Sequence, residues 1–191
     1  MRPVCLVTRR TALGMMAAFA LVAPASLAGA QARTSDSELD ALFRQLRLAT
    51  DADTAKILEK RIWRIWLIPD DPALARRMAQ VVAARQRMSL SIALGILNGV
   101  VHDYPDYAEG WNQRATVFYL LHDFRHALAD IDKALQFEPR HFGALSGRAL
   151  IHLQQHQRAA ALKDMRAALA LHPFLPEKSL FPELLGDIVH I

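Results

Sequence analysis

Residues 106–139 read DYAEGWNQRATVFYLLHDFRHALADIDKALQFEP, and the fold follows from the spacing of the apolar residues in this stretch. Trp111, Ala115 and Phe118 fall on one helical face, and Ala127, Leu128, Ile131, Ala134 and Leu135 fall on a second. The second set runs i, i+1, i+4, i+7, i+8, which a 3.6-residue period gathers to one side. Pro139 then closes the second helix, because it lacks an N–H donor and disfavours helix in the residue before it. The turn between the two faces falls at His122-Asp123-Phe124-Arg125-His126. The stretch is a pair of helices that must bury a shared apolar seam.

The pattern recurs on either side. Pro105, Pro139 and Pro173 are separated by 34 residues each, as are Ala93, Ala127 and Ala161, and Val100, Ala134 and Ala168. Three columns in one register define a repeat of the length used by solenoids. The second-helix face is Ala93, Leu94, Leu97, Val100 and Val101 in the first unit, and Ala161, Leu162, Met165, Ala168 and Leu169 in the third. The small residue opening each face admits the partner helix closely. First helices show Leu145, Ala149 and His152 in the third unit and a poorer face of Arg77, Val81 and Ala84 in the first, which starts at the capping pair Asp71-Pro72.

At these residues the chain resembles the tetratricopeptide repeat family. Trp111, Ala115, Phe118, Ala127, Ile131, Ala134 and Pro139 stand in the order of that family's 34-residue pattern. Leu145, Ala149, Ala161, Met165, Ala168 and Pro173 repeat it. The first unit keeps mainly Ala93, Leu97, Val100 and Pro105. Arg114 and Arg148 stand where the family usually has Leu. The resemblance covers roughly residues 72–175 and implies an all-α, right-handed α-solenoid of stacked antiparallel hairpins. The expected organisation is an N-terminal hairpin over 33–69, a degenerate repeat over 70–105, repeats over 106–139 and 140–173, and a capping segment over 174–191.

Outside the repeats, Leu39, Leu42, Phe43 and Leu46 share a helical face within 36–49. Ala55, Leu58, Ile62, Ile65 and Trp66 share another within 52–67, with Thr50 and Asp51 available to break and cap between them. This hairpin lacks the family's residues, and it is expected to join the repeats in a capped stack. Pro176 to Ile191, apolar on most sides and broken by Pro182, is expected to cover the last hairpin, since a solenoid end left open exposes its core.

Residues 1–32 have the order of an export signal: Arg2, Arg9 and Arg10, then an apolar run from Leu13 to Ala23, then small residues around Ala28-Gly29-Ala30-Gln31-Ala32. Cleavage after Ala32, with Ala30 as the alternative, places the mature protein in the periplasm. Thr8-Arg9-Arg10-Thr11-Ala12-Leu13 also resembles the twin-arginine signal, except that Ala12 stands where that motif usually has an aromatic or large apolar residue. Export through the general route therefore stays open, and a retained signal would tether the protein to the membrane. The chain of 191 residues carries a net charge of +4. Three of those charges leave with the three signal arginines, leaving +1, so the basic balance gives no case for nucleic acid as a partner. The one cysteine, Cys5, lies in the signal, and the mature chain must be stable without a disulfide. Hydrophobic residues make up 52% and aromatic residues 7%, a balance that suits helices with one ordinary core.

The resemblance implies a concave side lined by first helices, and a protein or peptide partner held there. The residues expected on that side are Met78, Val82 and Arg85, then Glu109, Asn112, Thr116 and Tyr119, then Ser146, Leu150 and Leu153. Arg85, Asn112, Thr116, Tyr119, Ser146, Leu150 and Leu153 form the candidate binding set. Asn112 can pair with a backbone amide, Tyr119 offers a flat apolar face with a polar tip, and Arg85 can meet a carboxylate. Some family members clamp a C-terminal carboxylate with Lys, Asn and Arg, but the corresponding positions here are Met78, Val82, Gln113, Gly143 and Gly147, so that clamp is absent. Arg76, Arg77, Arg85 and Arg87 form a basic cluster, either a solvated face or a dock for an acidic partner.

No nucleophile elbow, phosphate loop or dinucleotide fingerprint is present, and no cofactor or catalytic residue is expected. Asp130 and Asp164 repeat at the 34-residue spacing, as parts of the repeat do. His122 with His126, and His152 with His156, have the i,i+4 spacing of helical metal ligands. The first pair falls on a turn, and the second lacks the glutamate of the zinc-protease motif and an evident third ligand.

Overall fold

The computed structural model describes residues 27–184, with side chains from residue 36 onward. Residues 1–26 of the expected export signal and residues 185–191 of the expected capping segment lie outside the described residues. Eight helices are present among the described residues: α1 (Leu27–Arg47), α2 (Ala52–Leu67), α3 (Pro72–Gln86), α4 (Leu90–Asp103), α5 (Ala108–Leu120), α6 (Phe124–Phe137), α7 (Phe142–Gln154) and α8 (Arg158–Leu171). Two 3-10 turns, Pro176–Leu180 and Pro182–Leu184, follow. None of the helices is long and apolar enough to cross a membrane.

Helices α3 to α8 form three antiparallel hairpins, with α4 packed on α5 and α6 on α7, so the hairpins stack in chain order. The small columns explain the close approach. Ala93, Ala127 and Ala161 are fully buried, as are Val100, Ala134 and Ala168. The turn inside each hairpin repeats as faithfully. Met88, His122 and His156, again 34 residues apart, are the non-glycine residues with positive φ among the described residues, at 54°, 59° and 60°. Each sits at the left-handed position ending a first helix. The following amide reaches back five residues: Ser89 N donates to Ala84 O, Asp123 N to Phe118 O and Gln157 N to His152 O, at 2.8–2.9 Å. These bonds satisfy carbonyls that the helix end would otherwise leave orphaned.

Aspartates begin several helices. Asp51 accepts from Thr54 N at 2.8 Å, and Asp71 accepts from Ala73 N and Leu74 N at 2.7 and 2.9 Å. Asp123 accepts from His126 N at 3.2 Å, so the turn histidine is part of a cap. Each cap satisfies a donor in the first turn, and the negative charge suits the positive end of the helix dipole.

The N-terminal hairpin departs from the expected capped stack. The α1–α2 pair does not sit ahead of the first repeat as one more layer. Its apolar faces share one core with Phe142, Leu145 and Ala149 of α7, Met165 and Leu169 of α8, and Leu175, Phe181 and Leu184 after it. Helix α2 spans the repeats from last to first. His172 Nε2, after α8, lies 3.4 Å from Glu59 Oε2. Trp66 stacks on His141 at 4.1 Å between centroids, ahead of α7. Tyr107, the residue before α5, donates its hydroxyl to the Trp66 carbonyl, and Leu67 packs against Leu74, Met78 and Val100 of the first repeat. From α1, Asp40 accepts from Arg140 Nη1 at 2.5 Å across a separation of 100 residues. The physical reason is aromatic. Phe43, Trp63 and Trp66 find in Phe142 and His141 a ring cluster that the degenerate first repeat cannot offer.

Two expectations for the first repeat are also corrected. Its core face is Leu74, Met78, Val81 and Ala84, so Met78 lies in the interior and not on the concave side. Arg77 leaves that face to pair with Asp103 at 2.6 Å on the exterior.

Candidate functional site

Between α3, α5 and α7 lies a cavity of about 440 Å³, with Trp63 of α2 on its flank and Glu177 of the first 3-10 turn at its edge. Of the candidate binding set, Arg85, Asn112, Thr116, Tyr119, Ser146 and Leu150 all line this one space. Leu153 does not; it packs partly buried against the core shared by α1, α2, α7 and α8. Glu109, expected on the inner surface, is fully buried. The N-terminal hairpin and the His141 ring close over the first turn of α5.

Glu109 anchors a polar network beneath the cavity. Its Oε2 accepts from Asn112 Nδ2 at 2.9 Å, and its Oε1 accepts from Gln113 Nε2 at 2.5 Å. The backbone N–H of Ala144 donates to His141 Nδ1 at 3.1 Å, so the ring proton sits on Nε2 and is donated to Glu109 Oε2 at 2.8 Å. The buried carboxylate thereby holds three donors, the condition for keeping a charge out of water. Gln113 passes the chain outward, since its Oε1 accepts from Arg85 Nη1. The network therefore runs from the cavity wall at Arg85 to the ring stacked under Trp66. Burial also pushes the Tyr107 phenol far above its ordinary value, so it stays a donor to Trp66.

The cavity wall is mixed. Burial pulls Arg85 below the ordinary guanidinium range, no carboxylate among the described residues lies within ion-pair distance of it, and its Nε is shielded from solvent without a hydrogen-bond partner among them. Glu177 Oε2 is likewise shielded and unpartnered. Thr116 Oγ1 and Ser146 Oγ donate to the carbonyls of Asn112 and Gly143 within their own helices, which leaves their oxygens free to accept. Ile131, Leu150, Ile151 and the Tyr119 ring supply apolar surface. Two glycines make room. A Cβ on Gly143 would lie 2.7 Å from the Trp63 ring, whereas one on Gly147 would meet only Ile131 Cδ1, at 4.0 Å.

Trp63, Gln113 and Glu177 were not in the candidate set. Gln113 and the two glycines stand out in the sequence only as positions where a family clamp is missing. Trp63 and Glu177 belong to segments outside the repeats, whose place no repeat register fixes. The basic cluster disperses: Arg77 pairs with Asp103, while Arg85 turns into the cavity.

The histidine pairs divide in the same way. His122 and His156 are the left-handed turn residues, so neither pair lies along one helix face. His126 Nδ1 is 2.6 Å from Asp123 Oδ2, and His152 Nδ1 is 2.6 Å from Gln157 Oε1. Among the described residues no group of three or more His, Cys, Asp or Glu side chains is placed to hold a metal ion.

No family model matches the chain. It is 34% identical over 135 residues to a TPR repeat-containing protein of Rhizobium etli, an alignment covering 71% of this chain and 66% of that protein. It is 39% identical over 73 residues to tetratricopeptide repeat protein 34 of Mus musculus, covering 38% of this chain and 12% of that much longer protein. With three hairpins in a 34-residue register, matching alanine columns and this likeness to a TPR repeat-containing protein, the chain belongs to the tetratricopeptide repeat family.

Proposed function

We propose that this protein is an exported, non-catalytic adaptor that works in the periplasm and holds a segment of another polypeptide in its concave cavity. The single observation that carries the reading is the cavity itself. Six side chains from three successive first helices converge on about 440 Å³ of space with partly apolar walls and a half-buried Arg85 that has no ion-pair partner among the described residues. Ligand sites commonly combine a mainly apolar lining with a few convergent polar groups that fix orientation. The helical repeat fold supports a protein-interaction role for the chain.

Export is supported by the sequence of residues 1–32 alone. Cleavage after Ala32 would fall within α1 and leave residues 33–47 of that helix, which include the buried Leu39, Leu42, Phe43 and Leu46. The mature chain would retain the whole core described above.

The test compares two baits in the native host, the full chain and its Leu150→Arg variant, each checked for unchanged helix content by circular dichroism. Cross-linking and quantitative mass spectrometry then read the bound polypeptides. A polypeptide enriched on the full chain and depleted at least tenfold on the variant is the expected result. Equal enrichment on both baits removes the cavity from the proposal.

A further inference from the structure

Arg85 of α3 and Glu177 of the 3-10 turn after α8 face the same cavity, and they do not pair with each other. A guanidinium and a carboxylate lining one partly buried space would normally be drawn together, because their attraction grows as water is excluded. Here each is held elsewhere. Arg85 is tied through Nη1 to Gln113, whose own amide is fixed on Glu109, and Glu109 in turn has its oxygens occupied by Asn112, Gln113 and His141. Glu177 sits in a 3-10 turn locked between Leu175 and Phe181, both buried. The framework keeps the two charges apart, and each retains a shielded atom without a hydrogen-bond partner.

We infer that the cavity takes a small dipolar ligand, a free dipeptide with apolar side chains, its carboxylate at Arg85 and its ammonium at Glu177. This rests on the cavity being a binding site and narrows what enters it. The size fits, since pockets of roughly 300–1,000 Å³ hold small molecules. Apolar side chains of the ligand would lie against Trp63, Leu150 and Ile151, and the Asn112 and Ser146 side chains are placed for its backbone amide. A ligand with only one charge would leave the other wall group unmatched, and a desolvated charge without a partner is costly. Recognition of both termini therefore distinguishes this ligand from an internal stretch of a longer chain, which has neither.

The test uses the purified full chain and leucyl-leucine in three forms: free, N-acetylated and C-amidated. Binding is read by calorimetry. The free dipeptide should bind, and each capped form should bind about tenfold or more weakly, one decade being about 1.4 kcal/mol. In Arg85→Gln the penalty for amidation should vanish while that for acetylation remains, and in Glu177→Gln the pattern should reverse. Arg85→Lys should keep the discrimination against the amide, which a loss of packing alone would not allow. Gly147→Leu, whose added side chain enters open space, should abolish binding with no loss of helix content. Equal affinity for free and capped forms, or no binding of the free dipeptide at about 10 mM, overturns the inference. A polypeptide captured through Leu150 while dipeptides fail to bind would end this inference and leave the adaptor reading standing. Dipeptide binding without any captured polypeptide would do the reverse.

Discussion

Arg148 grips Asp164 with two parallel bonds, Nε to Oδ2 and Nη2 to Oδ1, each 2.8 Å, joining the two helices of the last repeat. Arg114 and Asp130 make the same pair one repeat earlier, at 2.7 and 2.8 Å. The third guanidinium nitrogen reaches the preceding hairpin in both cases, Arg148 Nη1 to Asp132 and Arg114 Nη1 to Asn98. Each arginine thus ties three helices together. This accounts for the 34-residue spacing of Asp130 and Asp164 and for arginine where the family usually has leucine.

Removing Asp164 leaves the partly buried Arg148 with Asp132 as its remaining partner, so Asp164→Ala should cost about 1.5–3 kcal/mol, while Arg148→Leu with Asp164→Leu should cost less. Chemical denaturation of the two variants checks this. A double variant as unstable as the single one would mean that the pair contributes through more than charge matching.

The N-terminal hairpin is held by rings. Trp66→Ala removes the stack on His141 and the contacts with Phe43 and Phe142, and should lower stability by about 3–5 kcal/mol. Gly143→Ala should cost about 1–3 kcal/mol, because its Cβ would press on Trp63. Hydrogen exchange should quicken in α1 and α2 for both variants, with α3 and α4 little changed. Uniform change along the chain would argue that the hairpin is not a separate docked unit.

Much of the fold was legible from columns of one residue type. Pro105, Pro139 and Pro173 fixed the register, and the buried alanines fixed which faces meet. The course of α1 and α2 was not legible, because helical periodicity tells which side of a helix is buried but not against what. Trp66 reads the same whether it meets a neighbouring repeat or His141 far along the chain. Of the candidate set, Leu153 and the inner-surface residues Met78 and Glu109 were misplaced for related reasons. A face inferred from i,i+4 steps is uncertain by one residue, and that suffices to move Met78 into the core. Burial of Glu109 depends on a hairpin whose position lay beyond the repeat pattern.

The left-handed turns offer a stabilising change. Met88 and His156 adopt a conformation that glycine enters without a Cβ penalty. Met88→Gly and His156→Gly should each raise stability by up to about 1 kcal/mol, and His156→Val should lower it. Thermal unfolding of the three variants decides. Unchanged or lower midpoints for both glycine variants would show that the native side chains contribute more than the strain costs.

Acid stability should depend on the helix caps. Bonds from Thr54 hold the Asp51 carboxyl below its ordinary value, and the Leu74 amide does the same for Asp71. A depressed folded pKa means that the stabilisation is fully present above the unfolded value, about 3.9, and is lost as pH falls through the folded one. Asp51→Asn keeps a capping oxygen but cannot titrate, so its stability should fall less steeply than that of the parent below about pH 4. Parallel acid-unfolding curves would contradict the assignment.

The most direct test of the concave cavity as the binding surface is site-specific photo-crosslinking in the native host. A photoreactive residue would replace Thr116 or Leu150 in the cavity, and Lys133 or Gln136 on the exposed side of α6 as controls. Cavity positions should give discrete adducts with a polypeptide, and the α6 positions should give none. Adducts from α6 alone, or from no position, would contradict a role for the cavity in holding a partner.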